Sequence, residues 1–308
     1  MRWASYRSRR DDRDHAALID GDMLLALPGT MVEVLERYGT DLAAAADDAR
    51  ANPFEREALD GAALLAPVPR PPSIRDFMAF EEHVVNAMKG IGSTVNPVWY
   101  AQPVFYFSNP AGVLGPEDDV PISPGSIAFD YELEVAAIIG RPGRDLDPAT
   151  AEQHIAGYTI FADWSARDLQ RTEMAVGLGP TKGKDGATTL GPYLVTPEEL
   201  TDAAAGKGYD LVMSAQVNGR DYSSGRWSSL YWSFGQMLAY ASRGTTLHPG
   251  DVIGSGTVGS GCILELQSMH GPRDYPWLAA GDRCRLAVER LGEISVGVLP
   301  GTDPVPLA

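Results

Sequence analysis

The stretch Phe129-Asp130-Tyr131-Glu132-Leu133-Glu134-Val135-Ala136-Ala137-Ile138-Ile139 decides how this chain is read. As a β-strand it alternates its side chains, so Glu132 and Glu134 share one face while Leu133 and Val135 point to the packed side. Two carboxylates set together inside an apolar run are costly unless something positive joins them. A second apolar run, Tyr158-Thr159-Ile160-Phe161-Ala162, ends on Asp163. A short crossover between the two strands would set Asp163 beside the glutamates. Oxygen donors of this kind suit a divalent cation, Mg²⁺ first and Mn²⁺ or Ca²⁺ as alternatives, over thiophilic zinc. Spacing alone also fits a solvated acidic face on an antiparallel sheet.

Outward from this stretch, short apolar runs alternate with Pro, Gly, Asn and Asp clusters. Strands are expected near residues 1–6, 15–27, 104–107, 157–162, 191–195, 211–217, 251–253, 262–266 and 283–288. A helix opens at Thr30, with Glu33 at capping-box spacing, and stops near Gly39; an alanine-rich helix follows over residues 41–51. Ser73 and Asp76 predict caps for a helix carrying Phe77, Phe80, Val84 and Met88 on one stripe. In such a helix Asp76 and His83 lie about 10.5 Å apart along the axis, too far for one cation to hold both. Asp147, Pro148 and Gly157 mark a short helix, and residues 228–242 form a late amphipathic one.

The chain has 308 residues, with 25 basic and 41 acidic side chains and a formal charge of -16. That balance disfavours nucleic-acid binding, which needs clustered Lys and Arg against phosphates. No charged leader followed by an apolar segment opens the chain, and no apolar run reaches membrane-spanning length, so a cytoplasmic protein with no membrane partner is expected. Cys262 and Cys284 are the only cysteines and are expected to be buried and inert. Residues 1–68 are expected to form a small N-terminal α+β domain, joined by a stiff proline-rich connection to a second domain over residues 73–304.

Several other side chains suggest chemistry. Lys184 and Thr188 flank a glycine-bearing loop in which the lysine would neutralise carboxylates or grip a substrate acid; its order is not that of a phosphate-binding loop. His83 follows two glutamates, where a carboxylate could fix its tautomer and keep it basic. Glu265, placed in the apolar run 262–266, needs a partner, and an imidazole is one candidate.

Taken together and in order, these residues resemble the fumarylacetoacetate hydrolase family. The matching elements are Asp76-Phe77 followed by His83, Asp130 to Glu134, Phe161 to Gln170, Lys184 with Thr188 and Gly191-Pro192, Val217-Asn218-Gly219, Pro249-Gly250-Asp251, Ser255-Gly256-Thr257 and Leu264-Glu265-Leu266. The resemblance implies an α+β, β-rich fold: a mixed β-roll, barrel-like catalytic domain with peripheral helices and a small N-terminal domain, assembled as a homodimer. It implies that Glu132, Glu134 and Asp163 are metal ligands, with Asp76 a fourth metal-site acid, an outer residue or a helix cap. It further implies catalytic roles for His83, Glu265 and Lys184, and substrate contacts for Gln170, Thr257 and Thr188.

By the same resemblance, the expected activity is metal-dependent hydrolysis of a carbon-carbon bond in a 1,3-dicarbonyl or acylpyruvate-like acid. The small-molecule partner is then an oxo acid or diketone. Decarboxylation, keto-enol isomerisation and hydration use the same chelate and are the alternatives, followed by an inactive metal-binding protein. The sequence departs from the family pattern at Met78, Met174 and Gly92, where tyrosines and an arginine grip fumarylacetoacetate, so that compound is not the expected substrate. Arg75, Arg167 or Lys182 could compensate.

Overall fold

The computed structural model, which describes residues 1–90 and 92–307, sets the decisive stretch near the middle of a 12-stranded mixed sheet. Ten strands make its main path: β1 (Arg2–Arg7), β2 (Asp14–Asp20), β3 (Met23–Ala26), β4 (Glu55–Ala58), β5 (Ile74–Phe77), β6 (Phe105–Ser108), β7 (Leu133–Ile139), β8 (Ile155–Asp163), β9 (Thr188–Val195) and β10 (Val252–Gly254). They lie in the order β4-β3-β2-β1-β9-β8-β7-β10-β5-β6, and two short strands, Leu64–Leu65 and Val113–Leu114, pair with β1 and β9. A separate 5-stranded sheet built on Val212–Val217, Arg283–Val288 and Gly292–Leu299 packs against it.

The expected barrel-like closure does not form. Closure requires the two terminal strands to hydrogen-bond to each other with a matched stagger. Here β4 ends one side of the sheet after the hairpins of the N-terminal residues, and β6 ends the other. The fold is α+β, with several open sheets and helices at their periphery.

β7 is buried on both faces, which explains why its sequence is a continuous apolar run rather than an alternating one. Leu133, Val135, Ala137 and Ile139 enter the core shared with the second sheet. Ala136 and Ile138 enter another core, built with Trp3, Leu18, Met31 and Leu35 from the N-terminal residues. Each fully buried Leu or Ile contributes about 1.5–3 kcal/mol. By strand alternation Glu132 and Glu134 share the side of Ala136.

Helices α1 (Met31–Tyr38) and α2 (Leu42–Ala51) form as their caps predict. Thr30 and Glu33 close a capping box, and Asp41 accepts from the Ala44 N–H. The helix expected from Ser73 is different. Residues 74–77 are a strand, buried between β10 and β6, and α3 (Glu81–Gly90) starts only afterwards. Pairing on both edges overrides the local capping signal.

The segment expected as a strand over 262–266 is instead the start of a helix. After α4 (Arg167–Met174) and α5 (Phe234–Ala241), α6 spans Ile263–His270. Its first N–H groups, from Ile263 and Leu264, donate to the Asp130 carboxylate at 2.7 and 3.1 Å. The cap therefore comes from a residue more than a hundred positions away, and no local signal announces it. α5 begins at Phe234 rather than 228 because Ser233 and Gln236 supply the capping box and a 3₁₀ turn, Trp227–Ser229, precedes it. The helix expected after Asp147 is a 3₁₀ turn, Ala151–His154, and Gly157 is not its stop but lies within β8, where a Cβ would strike Leu194. No helix among the described residues is long and apolar enough to cross a membrane.

Candidate active site

Three strands, β5, β7 and β8, bring four carboxylates into one buried cluster. Glu132, just ahead of β7, exchanges two backbone hydrogen bonds with Asp163 at the end of β8, at 3.0 and 3.2 Å. Residues opposed in this way project to the same face of the sheet. Glu134 follows two positions along β7, and Asp76 arrives on β5. Carboxylate oxygens of Asp76, Glu132, Glu134 and Asp163 all lie within 4.8 Å of one another, and all four residues are buried. Opposite ligands of an octahedral Mg²⁺ lie about 4.2 Å apart, so the nest needs little contraction to hold one.

Few positive groups answer these four acids. Lys184 Nζ contacts Glu132 Oε2 and lies 2.6 Å from Asp163 Oδ2. Arg167 lies 2.7 Å from Glu132 Oε1 and 2.8 Å from Asp130 Oδ2. Glu134 accepts from the Gly256 N–H at 2.8 Å and from Thr257 Oγ1 at 3.4 Å, while Tyr106 donates to Asp76 at 2.9 Å and also contacts Asp163. Asp163 Oδ1 is buried and has no hydrogen-bond partner among the described residues. An orphaned carboxylate oxygen in a nest of oxygen donors is the feature a hard divalent cation fits.

The electrostatics agree. Burial, reinforced by Glu132 and Asp76 against the pull of Lys184, pushes the Asp163 carboxyl up to about 7. Burial and the neighbouring Asp76, Glu132 and Asp163 charges push Glu134 well above the usual carboxylate range. Asp76 is raised as well, chiefly by burial. Glu132 alone goes down: burial opposes it, but Arg167 and Lys184 hold it below the ordinary value. Fully ionised, the nest would hold more negative charge than Lys184 and Arg167 neutralise, and a bound cation would relieve it.

A second buried pair stands beside the first group. His83 on α3 places Nδ1 2.7 Å from Glu265 Oε2 on α6. Burial alone would lower the imidazole; the charge and hydrogen bond of Glu265 outweigh it and leave His83 raised. Glu265 is lowered: burial opposes, and His83, the Ser260 N–H and Asn86 prevail. With Nδ1 engaged, Nε2 is the nitrogen able to take up a proton. The pair is close enough to the nest for the His83 charge to be felt at Glu132.

The remaining sequence candidates lie around these groups. Thr257 sits on Glu134, and Thr188 is buried with Oγ1 3.2 Å from Ser108 Oγ. Gln170 is half-buried on α4, where its Oε1 accepts from Arg167 at 3.2 Å. Asp76, read as a helix residue, belongs to the nest because it is on a strand. Tyr106 and Asp130 carried no signal that local reading could use, since their partners lie on distant strands and on α6. Arg75, Arg167 and Lys182 each face a carboxylate of the chain itself, Asp251, Asp130 with Glu132, and Asp185.

Comparison with known proteins places this geometry. Residues 73–299 match the model of the fumarylacetoacetate (FAA) hydrolase C-terminal family. The fumarylacetoacetase of Arabidopsis thaliana is 31% identical over 242 residues, which cover 62% of this chain and 57% of that protein. The chain thus spans less than two thirds of that relative's length. Among solved structures, the fumarylacetoacetate hydrolase from psychrophilic Exiguobacterium antarcticum superposes with a TM-score of 0.70 at 28% identity, covering 97% of this chain and 99% of that one. The 5-carboxymethyl-2-hydroxymuconate delta-isomerase from Mycobacterium smegmatis gives 0.71 at 25% identity, covering 97% and 100%. With a buried carboxylate nest suited to a cation and the family model matched across most of its length, this chain belongs to the fumarylacetoacetate hydrolase family of enzymes.

Proposed function

We propose that the protein is a divalent-cation-dependent hydrolase that cleaves a carbon-carbon bond in a 1,3-dicarbonyl or acylpyruvate-like acid. The observation that carries this reading is the orphaned Asp163 Oδ1 inside the four-acid nest, with the His83–Glu265 pair alongside. Asp76, Glu132, Glu134 and Asp163 would hold the cation. When bound, it supplies Lewis-acid polarisation of a substrate oxygen and stabilisation of the enolate that departs.

The chain's own groups do the rest. His83 Nε2 accepts a proton from water, whose hydroxide adds to the substrate carbonyl carbon. Glu265 holds Nδ1–H and stabilises the imidazolium that results. Lys184, kept cationic by Asp163 and Glu132 although burial opposes it, supplies positive potential where negative charge grows. Breaking the carbon-carbon bond leaves its electron pair on the departing carbon, which takes the proton returned from the imidazolium. Gln170, Thr257 and Thr188 orient the substrate oxygens. Because Arg75, Arg167 and Lys182 are already paired within the chain, a substrate with one carboxylate fits better than a dicarboxylate.

Residues 73–304 are assigned as the catalytic domain and 1–68 as the small domain docked on it, with a homodimer as the assembly. An isomerase is the second reading, favoured by the naming of the Mycobacterium smegmatis relative; it would use the same acids without the hydrolytic water. The test is an acylpyruvate assay with Mg²⁺ or Mn²⁺. Hydrolysis to an acid and a shorter keto acid, abolished by chelation and sharply lowered in His83→Ala with metal binding retained, supports the proposal. Proton exchange without bond cleavage would replace it with the isomerase, and full turnover in His83→Ala would remove His83 from its role.

A further inference from the structure

Glu265 is fully buried, yet its carboxylate is not left to rotate. Oε2 takes the His83 Nδ1 bond at 2.7 Å and a weaker one from Cys262 Sγ at 3.4 Å. Oε1 accepts from Asn86 Nδ2 at 3.1 Å and from the Ser260 N–H at 2.9 Å. Ser260 and Cys262 belong to the segment that leads into α6, so their bonds to Glu265 are local to it. His83 and Asn86 come from α3, three residues apart and therefore on one helix face, so one helix grips both oxygens of one carboxylate.

α3 also sits tightly in its place. A Cβ on Gly90 would come 2.9 Å from Ser268 Oγ on α6, and one on Gly259 would meet the Glu82 carboxyl. A carboxylate's last torsion is a broad sp³–sp² rotor, and without Asn86 the Oε1 end would keep only the Ser260 N–H of Glu265's own segment. Bound through both oxygens to the same helix, the carboxylate presents Oε2 to His83 in one plane. Outer hydrogen-bond partners that fix an imidazole's tautomer and tilt matter in this way at active sites.

We propose that Asn86 is a positioning residue: it locks the plane of the Glu265 carboxylate so that His83 keeps its Nδ1–H toward Glu265 and its Nε2 toward the reacting water. Asn86 does not touch the proposed cation nest; it acts through Glu265. The proposal rests on the reading of His83 as proton acceptor and is testable separately from it.

The experiment is a double-mutant cycle on acylpyruvate cleavage, with Asn86→Ala and Glu265→Gln alone and combined, each saturated with Mn²⁺. Asn86→Ala should lower kcat roughly 10–100-fold, on the scale set by hydrogen-bond partners of metal-ligating side chains, with KM and Mn²⁺ affinity nearly unchanged. In the Glu265→Gln background it should cost nothing further, because residues acting through one another are not additive. Asn86→Leu keeps the side chain's bulk but offers Glu265 no donor, and should lose as much as the alanine variant; it covers the case in which alanine unfolds α3. Equal losses from Asn86→Ala in both backgrounds, or full activity in Asn86→Leu, would overturn the proposal while leaving the His83–Glu265 pair in place. Full activity in Glu265→Gln would overturn the pair itself, and Asn86 with it.

Discussion

The residue that best reports the site's chemistry is His83, because its environment sets two opposing effects against each other. Burial favours the neutral ring, and Glu265 favours the imidazolium strongly enough to win. A raised imidazole is protonated below its own pKa and free to accept a proton only above it. The acidic limb of kcat/KM should therefore lie above the ordinary histidine value of about 6.5. Glu265→Gln removes the charge and leaves burial, so the limb should move to lower pH while the maximal rate falls. An unmoved limb would dissociate Glu265 from His83. The same pair contributes stability between its two titrations: the Glu265 share is lost as pH falls through its lowered value, and the His83 share as pH rises through its raised one.

At the scale of elements, α4 is joined to the segment leading into β7 by Arg167, a buried guanidinium between Asp130 and Glu132. Arg167→Met would fill the space, leave the buried Asp130 carboxylate without a cation and leave Glu132 with Lys184 alone. Removing one side of such a group costs about 3–5 kcal/mol, so a denaturant midpoint well below wild type is expected. An unchanged midpoint would mean that Asp130 and Glu132 find other partners. The turn after β10 is equally constrained. Gly256 has φ +79°, its N–H serves both Asp76 and Glu134, and a Cβ there would strike the backbone of Phe77 and Met78. Gly256→Ala should impair metal retention through the backbone alone, checked by Mn²⁺ titration; wild-type affinity would count against that constraint.

Legibility follows the same division. Glu132, Glu134 and Asp163 stood out because acids inside apolar runs contradict their surroundings, and α1 and α2 because their caps are local. Asp76 was misplaced because four residues of central strand carry no periodicity of their own, while a nearby serine and aspartate imitate a cap. α6 was taken for a strand because its N-terminal donors are satisfied by Asp130, far away in the chain. Nothing local marks Asn86, since its partner is on α6. What was lost depends on long-range pairing, which one sequence does not display.

At the scale of the whole molecule, the N-terminal residues complete the main sheet. β1 pairs with β9, with Arg2 opposite Val195 and Trp3 opposite Leu194. Trp3, Leu18, Met31 and Leu35 share a core with Ala136, Phe161 and Leu190, beneath the strands that carry the nest. Deleting residues 1–68 should expose an edge strand and an apolar face together, giving an aggregating protein without a cooperative unfolding transition. A soluble, cooperatively folded remnant would show that the larger unit needs no such cover.

The central claim is that four strand-end carboxylates gather one hard cation. Anomalous diffraction from crystals grown with Mn²⁺ tests it most directly. The account predicts a peak at coordination distance from Asp76, Glu132, Glu134 and Asp163, with Asp163 Oδ1 among the ligands; a nest without a peak at saturating Mn²⁺, or a peak held only by other residues, would contradict it.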